Sequence, residues 1–388
     1  MTRRRISLAW VFVLVLCGFS RQGIAADTAV PAGGEKRYAK TKEGQPPEPI
    51  MVAGDTGCWP NLKRCRDGAL VVTGFNQPIE KVGAVEGDVD CWASEDEGQT
   101  WQRRTAPAVH DTPKTMRVNH AAGLANNGDL IVVSTGETLP FDMRFLQTWV
   151  SRSSDGGRSW SVDKNTFPSA APDGLTLCPF GEILPGKDGC LHLYAYTVKY
   201  PDPKVPAQMP IFRSYIYRSQ DDGKTWTEPV LLRVRGSKNK SMNEVGLFHL
   251  GGGKWLAAAR MGPEYKDCME LFRSNDDAKT WPVHSPLTGE LRHPANFLRL
   301  EDGRILLSYT NRTKEKGMGV EAATSSDEGK TWSAPIRLID FELDGGYPSS
   351  LQRRDGQIVT AYYAAKIQGH DRCHLGVVIW DLERSLKP

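Results

Sequence analysis

Four side chains in the second half of the sequence are of types that can do chemistry together: Glu244, Arg260, Arg312 and Tyr347. Guanidinium groups bind anions through charge-assisted hydrogen bonds, and a phenol with a pKa of about 10 needs a nearby base before it can react. The same residues could instead form a buried ion pair beside a satisfied tyrosine, which is a common structural arrangement. The choice depends on the elements that position them.

The strongest pattern in the sequence is an octet, S-x-D-x-G-x-[ST]-W, that occurs five times. Its copies occupy residues 94–101, 153–160, 219–226, 274–281 and 325–332, and only the fourth departs from the pattern, with Ala278 in the glycine position. The Asp can accept turn N–H groups, the Gly permits the turn, and the Trp can bury against a neighbouring sheet. We therefore interpret the octets as structural turns and not as metal or catalytic sites.

A second repeat lies between the octets, where two apolar runs flank a tight turn six times. The turns carry Asp-Gly, Asn-Gly or Gly-Gly, at residues 67–68, 127–128, 188–189, 252–253, 302–303 and 355–356. Such pairs are typical of β-hairpins because Gly and Asn adopt positive φ at little cost. A third apolar run leads into each octet and a fourth follows it, so that one unit is four antiparallel strands.

Six such units predict an all-β fold, a six-bladed β-propeller of four-stranded antiparallel blades, because an isolated sheet of this size cannot cover both of its faces. The sixth unit has no octet, and the sequence ends after its third strand. We therefore expect residues 39–53 to supply the missing outer strand, and residues 40–388 to form a single propeller domain.

This topology predicts where a ligand binds. The octets join third and fourth strands on one face, so the opposite face collects the starts of the inner strands and the ends of the second strands. Arg260 and Arg312 end second strands on that face. Aligning the hairpins on their turn glycines places five residues at inner-strand starts: Trp59, His120, Glu244, His293 and Tyr347. Pockets favour the mouth of such an axial channel, so we place the site there.

The N-terminus predicts export. Three arginines, the apolar run 6–19 and small residues up to Ala25 are typical of a secretory signal peptide over residues 1–25. Residues 26–39 then form a flexible leader. We expect the mature protein to be secreted or periplasmic, with no membrane contact after cleavage.

Composition and charge exclude several classes of function for this protein. The chain has 388 residues, 39% hydrophobic and 24% charged, which is typical of a soluble globular protein. Four of its 49 basic residues lie in the signal segment, which leaves 45 against 46 acidic residues and no electrostatic reason to bind nucleic acid. Outside that segment the seven cysteines are odd in number and match no zinc-binding spacing. We expect at least one buried free thiol, and no metal or organic cofactor.

With Asp-box octets on six hairpin units, the sequence resembles the sialidase superfamily over essentially the whole mature chain. Glu244 precedes Arg260 by 16 residues, a spacing similar to that between the family's tyrosine-partner glutamate and one arginine of its carboxylate-binding triad. The stretch GYPSSLQRRDG is similar to the sialidase segment that carries the nucleophilic tyrosine, with matches at Tyr347, Ser349, Ser350 and Leu351.

The resemblance implies an exo-glycosidase that removes terminal sialic acid, or a related acidic sugar, from an anionic glycan. Tyr347 would be the nucleophile and Glu244 its base, because a neutral phenol avoids the repulsion between a carboxylate nucleophile and a sugar acid. Arg260 and Arg312 would hold the substrate carboxylate. The other substrate-binding residues would be Trp59, His120 and His293.

One position departs from the family's pattern. Sialidases take a further arginine from the first inner strand, whereas this chain has Cys58 there, in the stretch Gly-Cys-Trp-Pro. Arg117, near the start of the second inner strand, could substitute for it. Without a third arginine, the clamp would bind a sialate carboxylate more weakly or recognise another sugar.

The family's acid lies in the loop before the first octet, which here is residues 77–90. That loop contains four acidic residues: Glu80, Glu86, Asp88 and Asp90. We select Asp88 as the acid, and a solvated acidic loop is the alternative.

Two rival functions stay open at this point. The first is a sialidase-fold hydrolase or lyase that acts on a different glycan such as a uronate. The second is a non-catalytic glycan-binding propeller, in which Tyr347 and Glu244 would be far apart or sequestered. The proline-rich loop 198–212 and the basic stretch 233–240 either shape the substrate pocket or are a stiff insertion and a solvated charge run. The pattern predicts no oligomeric state.

Overall fold

The computed structural model describes residues 28–31, 36–140, 145–200, 209–227, 229–233, 241–315, 317–367 and 369–387. The predicted signal peptide, with its cleavage site near Ala25, lies outside them. The described residues form 25 β-strands, one short α-helix, α1 (Leu382–Leu386), and two single 3-10 turns. Within this part of the chain, none of the helices has the length and apolar character needed to cross a membrane.

The strands group into five sheets. The first two strands are β1 (Arg37–Tyr38) and β2 (Ile50–Gly54). One sheet holds β3 (Cys58–Arg64), β4 (Leu70–Phe75), β5 (Val89–Ser94) and β6 (Gln102–Ala108). An eight-stranded sheet holds β7 (Thr115–Leu124), β8 (Leu130–Thr138), β9 (Trp149–Ser153), β10 (Ser161–Asp163), β11 (Cys178–Pro185), β12 (Leu191–Lys199), β13 (Ile211–Ser219) and β14 (Val230–Leu232).

The remaining strands complete the other three sheets. The third sheet holds β15 (Met242–Gly251), β16 (Lys254–Met261), β17 (Met269–Ser274) and β18 (Val283–Pro286). The fourth holds β19 (Arg292–Arg299), β20 (Ile305–Asn311), β21 (Met318–Ser325) and β22 (Ile336–Phe341), with β1 at its edge. The last holds β23 (Gly345–Gln352), β24 (Ile358–Ile367) and β25 (His370–Trp380), with β2 outermost.

Within these sheets the strands follow one another as antiparallel meanders of four. The eight-stranded sheet is two such meanders joined by parallel pairing of β7 with β11. The inner strands β3, β7, β11, β15, β19 and β23 contact one another in a closed cycle. The described chain is therefore an all-β propeller, as the hairpin repeat predicted.

Glycine permits the inner strands to lie close together. A Cβ atom on Gly123 would stand 2.1 Å from the carbonyl oxygen of Ile183 on the neighbouring inner strand. A Cβ atom on Gly246 would likewise stand 2.5 Å from the carbonyl oxygen of Ala295. Both distances are far below van der Waals contact, so any larger residue would force the strands apart.

Strand β2 joins the N-terminal part of the chain to the last sheet. Residues 50–54 pair antiparallel with β25, from Val377 to His374, and complete the order β2-β25-β24-β23. The sequence predicted an outer strand for this sheet within residues 39–53. The observed strand lies at the C-terminal end of that segment.

The described residues of the leader are not free of the propeller, contrary to the flexible leader that we expected. Val30 is fully buried, and its N–H donates to the carbonyl oxygen of Leu287 at 2.9 Å. Strand β1 pairs in parallel with Ile336 and Arg337 of β22. Burial of the Val30 side chain in an apolar cluster with Leu271 and Leu287 explains the attachment.

The predicted hairpin turns and octets are both present. All six turn glycines have positive φ, between strands of the predicted pairs. In the fourth octet Ala278 adopts the same left-handed backbone, with φ of 60°. Six of the seven described cysteines, all but Cys268, are buried free thiols. The prediction of a buried free thiol is therefore confirmed.

The first octet shows how these turns are held. Asp96 accepts hydrogen bonds from the N–H groups of Gln99 and Thr100 at 3.0 and 2.9 Å, and from the hydroxyls of Ser94 and Thr100 at 2.7 and 2.6 Å. Partial burial raises the pKa of Asp96, but these hydrogen bonds outweigh it and lower the pKa to about 2. The Asp side chain is thus occupied by its own turn, which is a structural role.

We expect Asp96→Ala to lower the free energy of unfolding at pH 7 by about 1 kcal/mol, a loss limited by the exposure of the octet to water. Because the folded-state pKa is depressed, the stabilisation exists above the ordinary pKa and disappears as the pH falls from about 4 to about 2. Denaturant unfolding at both pH values checks this. Glu48→Ala, which removes an exposed carboxylate, is the control, and an equal loss at pH 7 and pH 2 would contradict the assignment.

Candidate functional site

The site begins with a bulge that recurs at the start of every inner strand. In each of the six, the pairing with the second strand shifts register after the first residues, for example between Cys58 and Asn61 and between Gly346 and Ser349. Such bulges re-aim side chains. Three bulge residues, Trp59, Glu244 and Tyr347, have φ of 57°, 47° and 50°. A left-handed backbone at bulky residues costs energy and clusters at functional sites.

Tyr347 and Glu244 come from different sheets and meet. The Tyr347 hydroxyl donates to Glu244 Oε1 at 2.7 Å, and both side chains are largely buried. The Tyr347 N–H is fixed in turn by the hydroxyl of Thr310 at 2.9 Å. Burial and the Glu244 carboxylate raise the pKa of the Tyr347 phenol well above its ordinary value. The phenol is therefore neutral, with a carboxylate placed to receive its proton.

Arg260 lies against the same carboxylate. Its Nη1 donates to Glu244 Oε2 at 2.8 Å, while Nε and Nη2 both lie within 3.0 Å of Asp267 Oδ1. Burial lowers the pKa of Arg260, but the two carboxylates more than offset it and raise the pKa overall. The guanidinium is thus charged and already paired on two sides.

Arg312 is paired in a similar way with a carboxylate on the last sheet. Its Nη1 contacts Asp344 Oδ1, and its Nη2 donates to the carbonyl oxygen of Gly345 at 2.8 Å. The hydroxyl of Tyr363 donates to the other Asp344 oxygen at 3.0 Å. The guanidinium carbon stands 5.7 Å from the centre of the Tyr347 ring, which brings both arginines to the tyrosine.

His293 borders the cluster without a charge of its own. Its Nδ1 lies 3.9 Å from Glu244 Oε2 and has no hydrogen-bond partner among the described residues. Burial lowers the pKa of His293 well below its ordinary value, and the positive charges of Arg260 and Arg312 lower it further. The imidazole is neutral at pH 7.

Aromatic rings surround the phenol. Trp59 and Phe180 stand edge-on to Tyr347, with ring centroids 6.3 and 6.1 Å away, and Tyr363 packs at 5.8 Å. Trp59 is half-buried, so part of its indole faces outward. Such a surface suits the C–H face of a sugar ring.

The position of the missing arginine is apolar. Cys58 is fully buried in a cluster with Met116, Val118 and Tyr347, and burial raises the pKa of its thiol. Arg117 does not take the place of the missing arginine. Its guanidinium carbon lies 3.2 Å from the centre of the Trp149 ring, and its Nη1 donates to the carbonyl oxygen of Gln147 at 2.6 Å.

His120 lies apart from the cluster, contrary to our alignment. The bulge in β7 falls between Arg117 and His120, so that Val118, not His120, is the counterpart of Tyr347. The His120 ring is buried and bonds to the hydroxyl of Thr73 at 3.0 Å. Burial lowers its pKa to about 4. In the described structure no contact joins it to Tyr347, and its role is packing.

The loop of residues 77–90 approaches the site at one end. Ile79 and Val82 pack against the apolar cluster of Cys58 and Tyr347. The exposed Glu80 between them is therefore close to this cluster, and its negative charge helps to raise the pKa of the Cys58 thiol. Asp88 is held elsewhere. Its Oδ1 accepts hydrogen bonds from the N–H and the Nδ1 of His110, both at 2.7 Å.

The two other acids of this loop also have partners. Glu86 Oε1 accepts the N–H of Lys114 at 2.7 Å, and Asp90 pairs with Arg103 at 2.7 Å. Glu80 is therefore the acid of this loop for which the described part of the structure shows no hydrogen bond or ion pair. The loops 201–208 and 234–240, expected to shape the pocket, lie outside the described residues.

The cavity that borders Tyr347 on the propeller axis is small. A cavity of about 30 Å³ lined by Trp59, Phe180 and Tyr347 has room for a water molecule or two, not for a sugar. Below it, Glu182 pairs with Lys63 at 2.5 Å and accepts a hydrogen bond from Asn296 at 3.1 Å. A substrate must therefore approach from the outer side of the tyrosine.

The sequence analysis missed the two carboxylates that pair with the arginines. Asp267 follows Arg260 by seven residues, and Asp344 precedes Tyr347 by three. A buried guanidinium needs a counter-ion, so acidic residues flanking the arginine-bearing strand ends were the available signal.

A scan against family models matches residues 83–360 to the BNR repeat-like domain. The chain belongs to the BNR repeat-like family. Because sialidases with the same propeller arrangement are among the structural neighbours of this family member, the resemblance to the sialidase superfamily is confirmed. A search of curated proteins found no match.

Solved structures show the same fold for this BNR repeat-like chain. A Dyadobacter fermentans protein of unknown function has 21% identity and a TM-score of 0.71, covering 86% of this chain and 98% of its own. A Hadza microbial sialidase has 18% identity and a TM-score of 0.65, covering 86% and 68%. A Penicillium chrysogenum α-L-arabinanase, solved with arabinobiose, has 15% identity and a TM-score of 0.58, covering 86% and 98%.

We expect the His293 imidazole to show no titration between pH 5 and pH 8, because burial and the two arginines keep it neutral. Ring-proton NMR across that range measures this, with the resonance assigned by its loss in His293→Gln. A chemical-shift step centred near the ordinary histidine pKa would show instead that the ring is solvated and distant from the arginines.

Proposed function

We propose that this chain is a glycoside hydrolase of the sialidase fold, built on six four-stranded blades, with Tyr347 as the nucleophile and Glu244 as its base. The observation that carries the proposal is the 2.7 Å hydrogen bond from the Tyr347 hydroxyl to Glu244, at the point where inner strands of two sheets meet. Sialidases and an arabinanase among the structural neighbours support a glycosidase on this fold.

The reaction follows from the pair. As Tyr347 Oη attacks the anomeric carbon, its proton passes to Glu244 and the bond to the leaving oxygen breaks. An acid protonates that oxygen, giving a free alcohol and a glycosyl-tyrosine. Water then attacks the anomeric carbon and loses a proton to the deprotonated acid, while the bond from that carbon to Tyr347 Oη breaks and releases the free sugar. The phenolate left on Tyr347 recovers its proton from Glu244. Arg260 holds the Glu244 carboxylate in position through its 2.8 Å contact.

A glycan substrate fits this site, and the signal peptide expected over residues 1–25 would deliver the enzyme to a periplasm or the medium. The resemblance implies sialic acid or a related acidic sugar, so a sialoside belongs in the first assay beside neutral glycosides. The alternative of a non-catalytic binding module required Tyr347 and Glu244 to lie apart or sequestered, and their hydrogen bond speaks against the first of these two arrangements.

Tyr347→Phe should lower kcat by at least about 1,000-fold, because no other hydroxyl replaces the nucleophile. Folding should be retained, since the ring keeps its contacts with Trp59 and Phe180 and Glu244 keeps Arg260. Release of an aryl aglycone from a panel of glycosides measures the rate. Tyr217→Phe deletes a buried hydroxyl that has no hydrogen-bond partner among the described residues, and it is the matched control. Equal turnover by the Tyr347→Phe variant and the parent would refute the nucleophile.

We place the acid in the loop of residues 77–90, with Asp88 from the sequence and Glu80 from the geometry as the candidates. Loss of the acid should lower kcat/KM by about 100-fold or more for a poor alkyl leaving group, and little for an activated aryl group that leaves unprotonated. Comparing Asp88→Asn with Glu80→Gln on both substrates decides between them. Asp88 is the acid if only Asp88→Asn shows this dependence, and the role moves to Glu80 if only Glu80→Gln shows it.

A further inference from the structure

Both arginines of the site are already neutralised by the protein. Arg260 uses three of its five N–H groups on Glu244 and Asp267, and Arg312 uses two on Asp344 and the Gly345 carbonyl. The remaining N–H groups can still donate hydrogen bonds. They do so from guanidinium groups whose positive charge is balanced by adjacent carboxylates, and hydroxyl oxygens are suitable acceptors for such donors.

The charges at the site sum to a negative value. Two guanidinium groups face three carboxylates, those of Glu244, Asp267 and Asp344, while His293 is neutral. A substrate carboxylate would bring a further negative charge into a mostly buried region, where charge repulsion is weakly screened. The arginines could attract it with a net positive charge only if a protein carboxylate moved away.

Neither Cys58 nor Arg117 supplies a further cation to correct this balance. At the position where a third arginine would stand, Cys58 is buried among apolar side chains. Arg117 is occupied by Trp149 and Gln147. Among the described residues, the side chains packed around Tyr347 are instead apolar, and the aromatic ring of Trp59 is partly open to the outside. An aromatic surface can pack against the uncharged face of a sugar, but it offers an anion no positive charge.

From these charges we propose that the sugar unit held beside Tyr347 carries no carboxylate, so that the substrate is a neutral glycoside. The proposal rests on the proposed function, because it names the substrate class of the same site. The two arginines then act as hydrogen-bond donors to hydroxyl groups and as counter-ions for Glu244 and Asp344. They do not form a carboxylate clamp.

Matched pairs of aryl glycosides test the proposal, since glucoside and glucuronide, or galactoside and galacturonide, differ only in a hydroxymethyl group against a carboxylate. Both anomers of each and an aryl α-sialoside complete the panel. We expect the neutral member of any cleaved pair to have a kcat/KM at least about 10-fold higher. Preference for a uronide or for the sialoside would overturn the proposal and leave the glycosidase function standing.

Titration calorimetry with the free sugars measures binding, and it distinguishes failure of the hydrolase assignment from failure of the neutral substrate class. If neutral sugars bind but no glycoside is cleaved in a Tyr347-dependent way, the hydrolase assignment fails and the neutral substrate class survives. If only uronic or sialic acid binds, the substrate class is wrong. If none of these sugars binds, the site is not a sugar site and both proposals fall.

Charge variants test the cause. Asp344→Asn and Asp267→Asn each free one guanidinium and should shift the uronide-to-neutral ratio of binding constants at least about 10-fold towards the uronide. Asp355→Asn is the control, because it removes one carboxylate at the opposite end of the same sheet, in the turn between β23 and β24. Circular dichroism checks folding, and Asp267 provides a second variant if loss of the Asp344–Tyr363 contact unfolds the chain. An unchanged ratio in both folded variants would refute the charge argument.

Discussion

The bulge at the start of each inner strand is the constraint on which the site depends. A regular inner strand would point alternate side chains into the sheets on either side, and none of them along the axis. The bulge breaks that alternation, and at Trp59, Glu244 and Tyr347 the backbone within it is left-handed. The repeat therefore supplies one bulge per meander, where a side chain can be re-aimed. Whether a meander contributes a reactive group depends on the residue at its bulge and not on the topology. Tyr347 is a candidate nucleophile, whereas Val118 at the equivalent position only packs in the same apolar cluster.

The arginines serve the tyrosine before they serve any ligand. Burial and the Glu244 carboxylate raise the pKa of the Tyr347 phenol, and Arg260 and Arg312 act in the opposite direction. Two positive charges near the ring thus make the phenolate easier to form without a direct bond to its oxygen. Asp267 and Asp344 keep those charges in place, at the cost of the free positive field that an anionic ligand would need. Nucleophile activation and anion capture therefore compete for the same two side chains.

Much of the scaffold was readable from the sequence because its signals are local. Asp-Gly and Asn-Gly pairs and the octets fix turns by backbone preference alone, and they recur often enough to give the strand order. The convergence of Glu244 and Tyr347 on one face followed from their equivalent positions in the repeat, and their pairing was implied by the resemblance to sialidases. The alignment failed at His120 because the number of residues between the bulge and the turn glycine differs from strand to strand, which a count from that glycine cannot detect. Asp267 and Asp344 were not predicted because they lie in connections between strands, where the sequence has no periodicity. The attachment of Val30 escaped because a single apolar residue in a short segment has no pattern.

The pairing of β2 with β25 also determines when the chain can complete its fold. Ile50 and Val377 are neighbours in one sheet although more than 300 residues separate them along the chain. Contacts of this separation form late, because the entropy of closing so long a loop is repaid only after the intervening meanders are in place. The last sheet therefore links both ends of the polypeptide into one cooperative unit. A nascent chain would hold five meanders in an open arc, with unpaired strand edges, until its final strand arrived.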